Sequence, residues 1–177
     1  MDIIDLLQDP AYRHMLLNHV PIIGLFMALL VLVAGLAVRN AALMLTGLGL
    51  VALTAGSGFL VARYGDAAYP AIYDTLDGHG RGWLDYHAEL AEAWLPLLYA
   101  DAILAVLVLV TCVLRPRLLW MASLVMALLT IAAIAGASVV AHSGGKIQHP
   151  EFRLGDPPPV TALRRPAGIQ EGSKLTS

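Results

Sequence analysis

Four long apolar runs dominate this sequence, and each is close to the length that an α-helix needs to cross a bilayer. A helix must contribute about twenty apolar residues to span the hydrocarbon region. Lipid offers no water to the backbone, and the runs lack the alternation of barrel strands, so we expect helices. The sequence therefore predicts an all-α fold, a four-transmembrane-helix antiparallel bundle. The predicted spans are residues 20–38, 40–62, 93–114 and 118–141.

The composition excludes an ordinary water-soluble domain. Hydrophobic residues make up 58% of the chain and charged residues only 14%, whereas soluble domains are about a quarter charged. Lipid must therefore cover much of the surface. A formal net charge of −2 gives no reason to expect nucleic acid as a partner. The single cysteine, Cys112, excludes an internal disulfide and lies within an apolar run, which favours a packing role.

The polar segments divide the chain into three parts. Residues 1–19 read as an interfacial N-terminal segment, and residues 20–153 form the membrane domain. Within that domain, residues 64–92 are expected to form a loop, and Gly144-Gly145 is expected to end the last helix as a C-cap. Three consecutive prolines follow Asp156, and little apolar content remains, so residues 154–177 are predicted to be an extended or disordered tail.

The charges predict the orientation of the bundle. The two tight turns between spans carry Arg39, Arg115 and Arg117 and no acid, whereas the opposite end holds most of the Asp and Glu residues. Short basic loops stay in the cytoplasm. We therefore expect the tight turns to be cytoplasmic and both termini to be periplasmic or extracellular.

All six histidines fall at or beyond the same ends of the four spans. In an antiparallel bundle, His19, His87 and His142 lie at similar depth. Imidazole is the commonest ligand of transition metals and a usual axial ligand of haem iron, so convergent histidines predict a metal or b-type haem site. Interfacial histidines that bond to headgroups and loop carbonyls are the alternative. Both interpretations stay open here, and the pattern alone favours the second.

The segment from Asp85 to Asp101 predicts an amphipathic helix that enters the third span. At 100° per residue, one stripe holds His87, Ala91, Trp94, Leu98 and Asp101. Asp101 is the one ionisable side chain within the hydrocarbon. Such residues face the bundle interior and have partners. Asp101 is therefore either a proton-relay position or a hydrogen-bond donor to Thr46, Thr54, Ser123 or Thr130.

Two short motifs and a histidine-acid pair stand out at the ends of the spans. The motifs are Leu17-Asn18-His19-Val20-Pro21-Ile22-Ile23-Gly24 and Gly144-Gly145-Lys146-Ile147-Gln148-His149-Pro150-Glu151-Phe152-Arg153, with His87-Ala88-Glu89 between them. They resemble those of an uncharacterised family of small bacterial four-helix integral membrane proteins. In that family the histidine is followed directly by an acid, where this chain has Ala88. The resemblance covers residues from about 15 to 153. It implies the bacterial inner membrane, electron transfer beside cytochrome c or Rieske modules, and roles for His19, His87 and His149.

Together these features predict an integral membrane redox or metal-binding module with its histidines at the periplasmic end. For haem b, His19 and His87 are the expected ligands, with His142 in reserve; a copper or zinc site is expected to use His19, His87 and His149 with Glu89 or Glu151. The expected partners are the lipid bilayer and a periplasmic redox protein or other membrane subunits. The alternative is a cofactor-free membrane anchor or assembly subunit for a periplasmic partner. No motif of an enzyme class is present, so the sequence does not favour an enzyme.

Overall fold

The protein is helical throughout the part that the computed structural model describes, residues 2–160. Seven α-helices and two short 3-10 turns follow one another along the chain, and this part of the chain contains no β-strand. The helices are α1 (Ile3–Gln8), α2 (Pro10–Leu17), α3 (His19–Ala37), α4 (Ala41–Gly56), α5 (Gly58–Thr75), α6 (Gly78–Leu114) and α7 (Leu119–Gln148). The 3-10 turns are Pro116–Leu118 and Pro150–Phe152.

Four helical stretches are long and apolar enough to cross a membrane, as the apolar runs predict. They are Pro10–Ala37, Ala41–Thr75, Gly78–Leu114 and Pro116–Gln148, so α2 with α3 and α4 with α5 each make one stretch. Large apolar side chains such as Leu53, Val113 and Leu128 point outward and are more than half exposed. Such a surface is compatible with lipid and not with water. The chain is therefore a multi-pass membrane protein.

The four stretches close into a ring of packed neighbours, and α4 also makes a smaller contact with α7 across this ring. Helix α3 contacts α4 and α7, and α6 contacts the same two helices, so α3 and α6 lie diagonally opposite. At the histidine-bearing end of the bundle, α2 packs against α5, and α5 contacts α6. The centre of the bundle is filled by fully buried side chains, the largest of which are Leu25, Leu32, Leu48, Val51 and Met126.

Helices α3 and α4 approach so closely that glycine is required between them. A Cβ atom on Gly47 would lie 2.8 Å from the Cα of Leu32, and one on Gly35 would lie 2.7 Å from the backbone nitrogen of Met44. Both distances are shorter than van der Waals contact allows. Small residues at such crossings let helices associate in lipid, where no hydrophobic effect drives them together.

The prediction of a loop at residues 64–92 is wrong, because almost all of this segment is helical. Helix α5 continues to Thr75 and α6 begins at Gly78, which leaves only Leu76 and Asp77 as the connection. A second apolar cluster supports these extensions. It consists of Trp83, Leu84 and Ile147, with Tyr69, Ile72, Tyr73, Leu76 and Tyr86 packed against it. The bundle thus extends beyond the predicted spans at the histidine-bearing end.

The expected helix end at Gly144-Gly145 is also wrong, because α7 runs through both glycines to Gln148. Arg153 supplies the cap instead. Its guanidinium donates to the carbonyls of Lys146 (2.7 Å) and Ile147 (2.6 Å) and lies 3.6 Å from Asp77, the N-cap residue of α6. The Arg153 side chain is only 6% exposed. One buried guanidinium therefore joins the end of α7 to the start of α6.

The chain after Arg153 returns along the start of α6. Asp156 lies 3.4 Å from His79, and Pro157 packs against Gly82. Residues 154–160 have no regular secondary structure. The rest of the predicted tail, residues 161–177, lies outside the described residues.

Candidate functional site: two docked imidazoles

His87 is held against helix α7 by its ring. Its Nδ1 lies 3.0 Å from the carbonyl oxygen of Val140 and 3.0 Å from the Oγ of Ser143. The Ser143 hydroxyl donates its own proton to Val140, so the ring nitrogen is the donor in both contacts. A Cβ on Gly144 would lie 3.1 Å from the ring, which shows why the helix carries glycine there. These bonds fix a tautomer of His87 with the proton on Nδ1.

His14 is held against helix α5 in the same way. Its Nδ1 lies 2.9 Å from the carbonyl oxygen of Val61, and a Cβ on Gly65 would lie 2.9 Å from that nitrogen. In both cases the acceptor is a valine and the glycine comes one helical turn later. Both segments have the pattern Val-Ala-x-x-Gly: Val61-Ala62-Arg63-Tyr64-Gly65 and Val140-Ala141-His142-Ser143-Gly144. We refer to them as the two Val-Ala-x-x-Gly motifs.

The two motifs bring His14 and His87 together. The centroids of the two rings are 6.3 Å apart, and the ring planes are inclined at 85°. Both side chains are half-buried. His14 comes from the first membrane stretch and His87 from the third, which are the diagonal members of the ring of helices. The pair therefore lies across the bundle and is not formed by neighbours on one helix.

The predicted inward stripe on α6 is buried only in part. Trp94 packs on Gly136 of α7 but is 37% exposed, whereas Leu98 is buried and Asp101 is fully buried. The hydroxyl of Thr130 donates to the Oδ1 of Asp101 at 3.2 Å, so Thr130 is the one of the four candidate partners that Asp101 contacts. Within residues 2–160, the Oδ2 of Asp101 has no hydrogen-bond partner.

Four other predicted ligands, His19, His142, His149 and Glu151, are exposed, and Glu89 is half-buried. His19 bonds through Nδ1 to the carbonyl of Met15 in its own helical stretch (3.2 Å), and His142 is also exposed. His149 bonds to the carboxylate of Glu151 at 2.9 Å. The backbone N–H of Glu151 and the His149 ring lower the pKa of this carboxyl below its usual range.

The predicted metal set is not gathered in this structure. Among the described residues, no group of three or more His, Cys, Asp or Glu side chains could hold a metal ion. His19, His87, His149 and Glu151 therefore form no common centre here. His79 pairs with Asp156, on the segment that follows Arg153.

His14 is the site residue that sequence reasoning missed. It precedes the Asn-His-Val-Pro stretch, and Pro10 and Pro21 suggested a break between an interfacial segment and the first span. The signal that points to it is the repeated Val-Ala-x-x-Gly pattern near the ends of the second and fourth stretches. Each motif places a carbonyl and a glycine on one helix face, because residues four apart lie one above the other.

Comparisons with known proteins do not place this chain in a family. No family model matches this chain, and neither a curated protein nor a solved structure shows significant similarity to it.

Proposed function

We propose that this chain is an integral membrane redox or metal-binding module that holds a b-type haem for electron transfer, with His14 and His87 as the ligands. The observation that carries the proposal is the pair of imidazoles from opposite helices, each fixed through Nδ1. His87 is retained from the sequence prediction. His14 takes the place expected for His19, because His19 is exposed and bonded to its own helical stretch.

The centroid separation of 6.3 Å supports the proposal. Imidazole–metal bonds are about 2 Å long, so His14 and His87 are close enough that they would be able to hold one iron together. A backbone carbonyl at Nδ1 is the usual second partner of a ligating histidine. The glycines give each ring room to lie against its supporting helix, which holds both rings in place. When bound, the haem would supply one-electron chemistry.

The distribution of arginines supports the proposed orientation in the membrane. The tight-turn end carries Arg39, Arg115 and Arg117, which supports a cytoplasmic position for that end. The histidine pair is then periplasmic, in a bacterial inner membrane, where a periplasmic redox protein or a second membrane subunit can exchange electrons with it.

The proposal is tested by visible absorption spectra and metal analysis of detergent-purified protein. We expect a haem b spectrum that is lost in His14→Ala and in His87→Ala. His142→Ala is the matched control, because this exposed histidine lies within a Val-Ala-x-x-Gly motif but outside the pair, and we expect its spectrum to be unchanged. Circular dichroism separates loss of cofactor from loss of fold. A folded parent protein with neither haem nor metal would refute the proposal.

A cofactor-free membrane anchor or assembly subunit is the second candidate. It is favoured by the fact that the hydrogen bonds of His14 and His87 each join two helices. The Arg153 contacts also fix the start of the C-terminal segment at the same end. This function predicts that both alanine variants lose thermal stability while no chromophore is present in the parent. The same spectra and melting curves therefore distinguish the two candidates.

A further inference from the structure

The tight turn between α6 and α7 forms a shallow cavity that is open to the surroundings, since all five residues that line it are exposed; the histidine site does not involve it. It has a volume of about 320 Å³ and is lined by Leu114, Arg115, Pro116, Arg117 and Leu118. Arg115 directly precedes the 3-10 turn Pro116–Leu118 and Arg117 lies within it, so two arginines separated by one proline line this cavity. Because the turn joins two membrane stretches, it lies at the depth of the lipid headgroups.

The arginines at this end have no carboxylate partner. Within residues 2–160, the ion pairs join other residues, and neither Arg115 nor Arg117 takes part in one. No Asp or Glu occurs between Asp9 and Asp66 or between Asp101 and Glu151, so neither turn at this end contributes an acid. The cavity therefore carries uncompensated positive charge at the membrane interface.

A third arginine is placed beside the same turn. Arg39 follows the end of α3 with φ of 51°, a left-handed conformation that favours glycine. Its guanidinium lies over the ring of Trp120, 5.7 Å from the centroid, and Trp120 donates to the carbonyl of Leu36 at 3.4 Å. Trp120 belongs to the first turn of α7, directly after the cavity. A side chain at a position suited to glycine thus adds a further cation next to Arg115 and Arg117.

We propose that this cavity binds the phosphate of an anionic phospholipid, with Arg115 and Arg117 as its direct ligands. The planar guanidinium matches the geometry of a phosphate oxygen pair. Leu114 is 74% exposed and Leu118 is 49% exposed, so the cavity also offers apolar surface to the upper part of an acyl chain. Basic cavities between membrane helices are known to hold anionic headgroups. The proposal is independent of the histidine pair.

Trp120 provides a local probe of lipid binding. The chain contains three tryptophans, so replacement of Trp83 and Trp94 by phenylalanine leaves Trp120 as the sole emitter. This protein is reconstituted into phosphatidylcholine vesicles that contain increasing fractions of brominated phosphatidylglycerol or, separately, brominated phosphatidylcholine. Bromine quenches tryptophan on contact. We expect quenching by the anionic lipid at much lower mole fractions than by the zwitterionic lipid.

The arginine variants identify the binding residues. Arg115→Gln with Arg117→Gln is expected to weaken the anionic lipid preference about 25-fold, or about fivefold for each arginine. Arg63→Gln is the matched control, an exposed arginine toward the opposite end of the bundle, and we expect no change. Equal quenching by both lipids, or a preference that survives the double substitution, would overturn the proposal. Displacement by millimolar inorganic phosphate would also overturn it, because the site would then select a soluble anion.

Discussion

At the scale of single residues, Gly144 and Gly145 are neighbours in α7, but only Gly144 faces another side chain. A Cβ on Gly144 would lie 3.1 Å from Cε1 and 3.3 Å from Nδ1 of His87, whereas a Cβ on Gly145 would meet nothing within 4 Å. The two glycines therefore offer a comparison in which the sequence context is nearly constant.

Gly145→Ala is expected to raise the free energy of unfolding by about 0.5–1 kcal/mol, because alanine is the better residue within a helix. In Gly144→Ala the added methyl group displaces His87 from Val140. The free energy of unfolding of this variant is therefore expected to be lower than that of Gly145→Ala by about 1 kcal/mol, the usual contribution of one hydrogen bond. Unfolding titrations in mixed micelles measure the difference. The ¹⁵N shifts of the His87 ring should change in Gly144→Ala alone. Equal stability in the two variants would contradict the role assigned to Gly144.

Asp101 and Thr130 give the second prediction at this scale. Asp101→Asn keeps an oxygen that can accept from the Thr130 hydroxyl, so we expect the fold to be retained with a loss of less than about 1 kcal/mol, near the average for such bonds in membranes. Thr130→Val removes the donor and serves as the control for the bond itself. Electron transfer that stops in a folded Asp101→Asn protein would indicate a proton-relay role. An unfolded Asp101→Asn protein would contradict both roles.

At the scale of helices, the contact between α3 and α4 depends on which glycine faces the partner. Gly47→Ala is expected to lower the free energy of unfolding by about 1–3 kcal/mol, because the added methyl group meets the backbone of Leu32 and forces the helices apart. Gly49→Ala is the matched control, since a Cβ there meets nothing within 4 Å. Thermal unfolding in detergent measures both. A Gly47→Ala protein as stable as Gly49→Ala would show that the helices tolerate a wider separation.

The helices that cross the membrane could be predicted from sequence, and their extensions could not. Residues 20–38 and 118–141 are almost uncharged, so hydropathy alone identifies them. In contrast, α5 contains Gly65, Asp66 and Pro70, which are features of a loop. Its helical structure is supported by packing of Tyr69 and Tyr73 against the cluster of Trp83, Leu84 and Ile147, which no local pattern reveals. The prediction of a helix end at Gly144-Gly145 was wrong for a similar reason, since Gly144 makes room for the His87 ring on another helix.

The histidine pair could be predicted in part. The choice of the first and third stretches followed from topology. The choice between His14 and His19, however, requires knowledge of how the helix is rotated about its axis. Residues five positions apart lie about 140° apart around a helix. Only one of these two histidines can therefore face α5 and α6. The structure turns His14 inward and leaves His19 exposed.

At the scale of the whole molecule, the distribution of arginines predicts the orientation. With Arg39, Arg115 and Arg117 at one end, we expect both termini to be periplasmic. Alkaline phosphatase fused after Ser177 should be active, because this enzyme folds only outside the cytoplasm. A green fluorescent reporter fused at the same position should be dark. The reverse pattern would contradict the orientation and would move the histidine pair to the cytoplasmic side.

The hydrogen bond between Asp101 and Thr130 has a consequence for how the chain enters the membrane during synthesis. The two residues belong to α6 and α7, which are joined by a tight turn and form one helical hairpin. Transfer of an isolated aspartate to the centre of a bilayer costs about 2.5–3.5 kcal/mol. Because its partner emerges next from the ribosome, the second hairpin brings its own hydrogen-bond donor into the lipid. The second hairpin can therefore stay inserted and folded in the membrane before the two hairpins pack against each other.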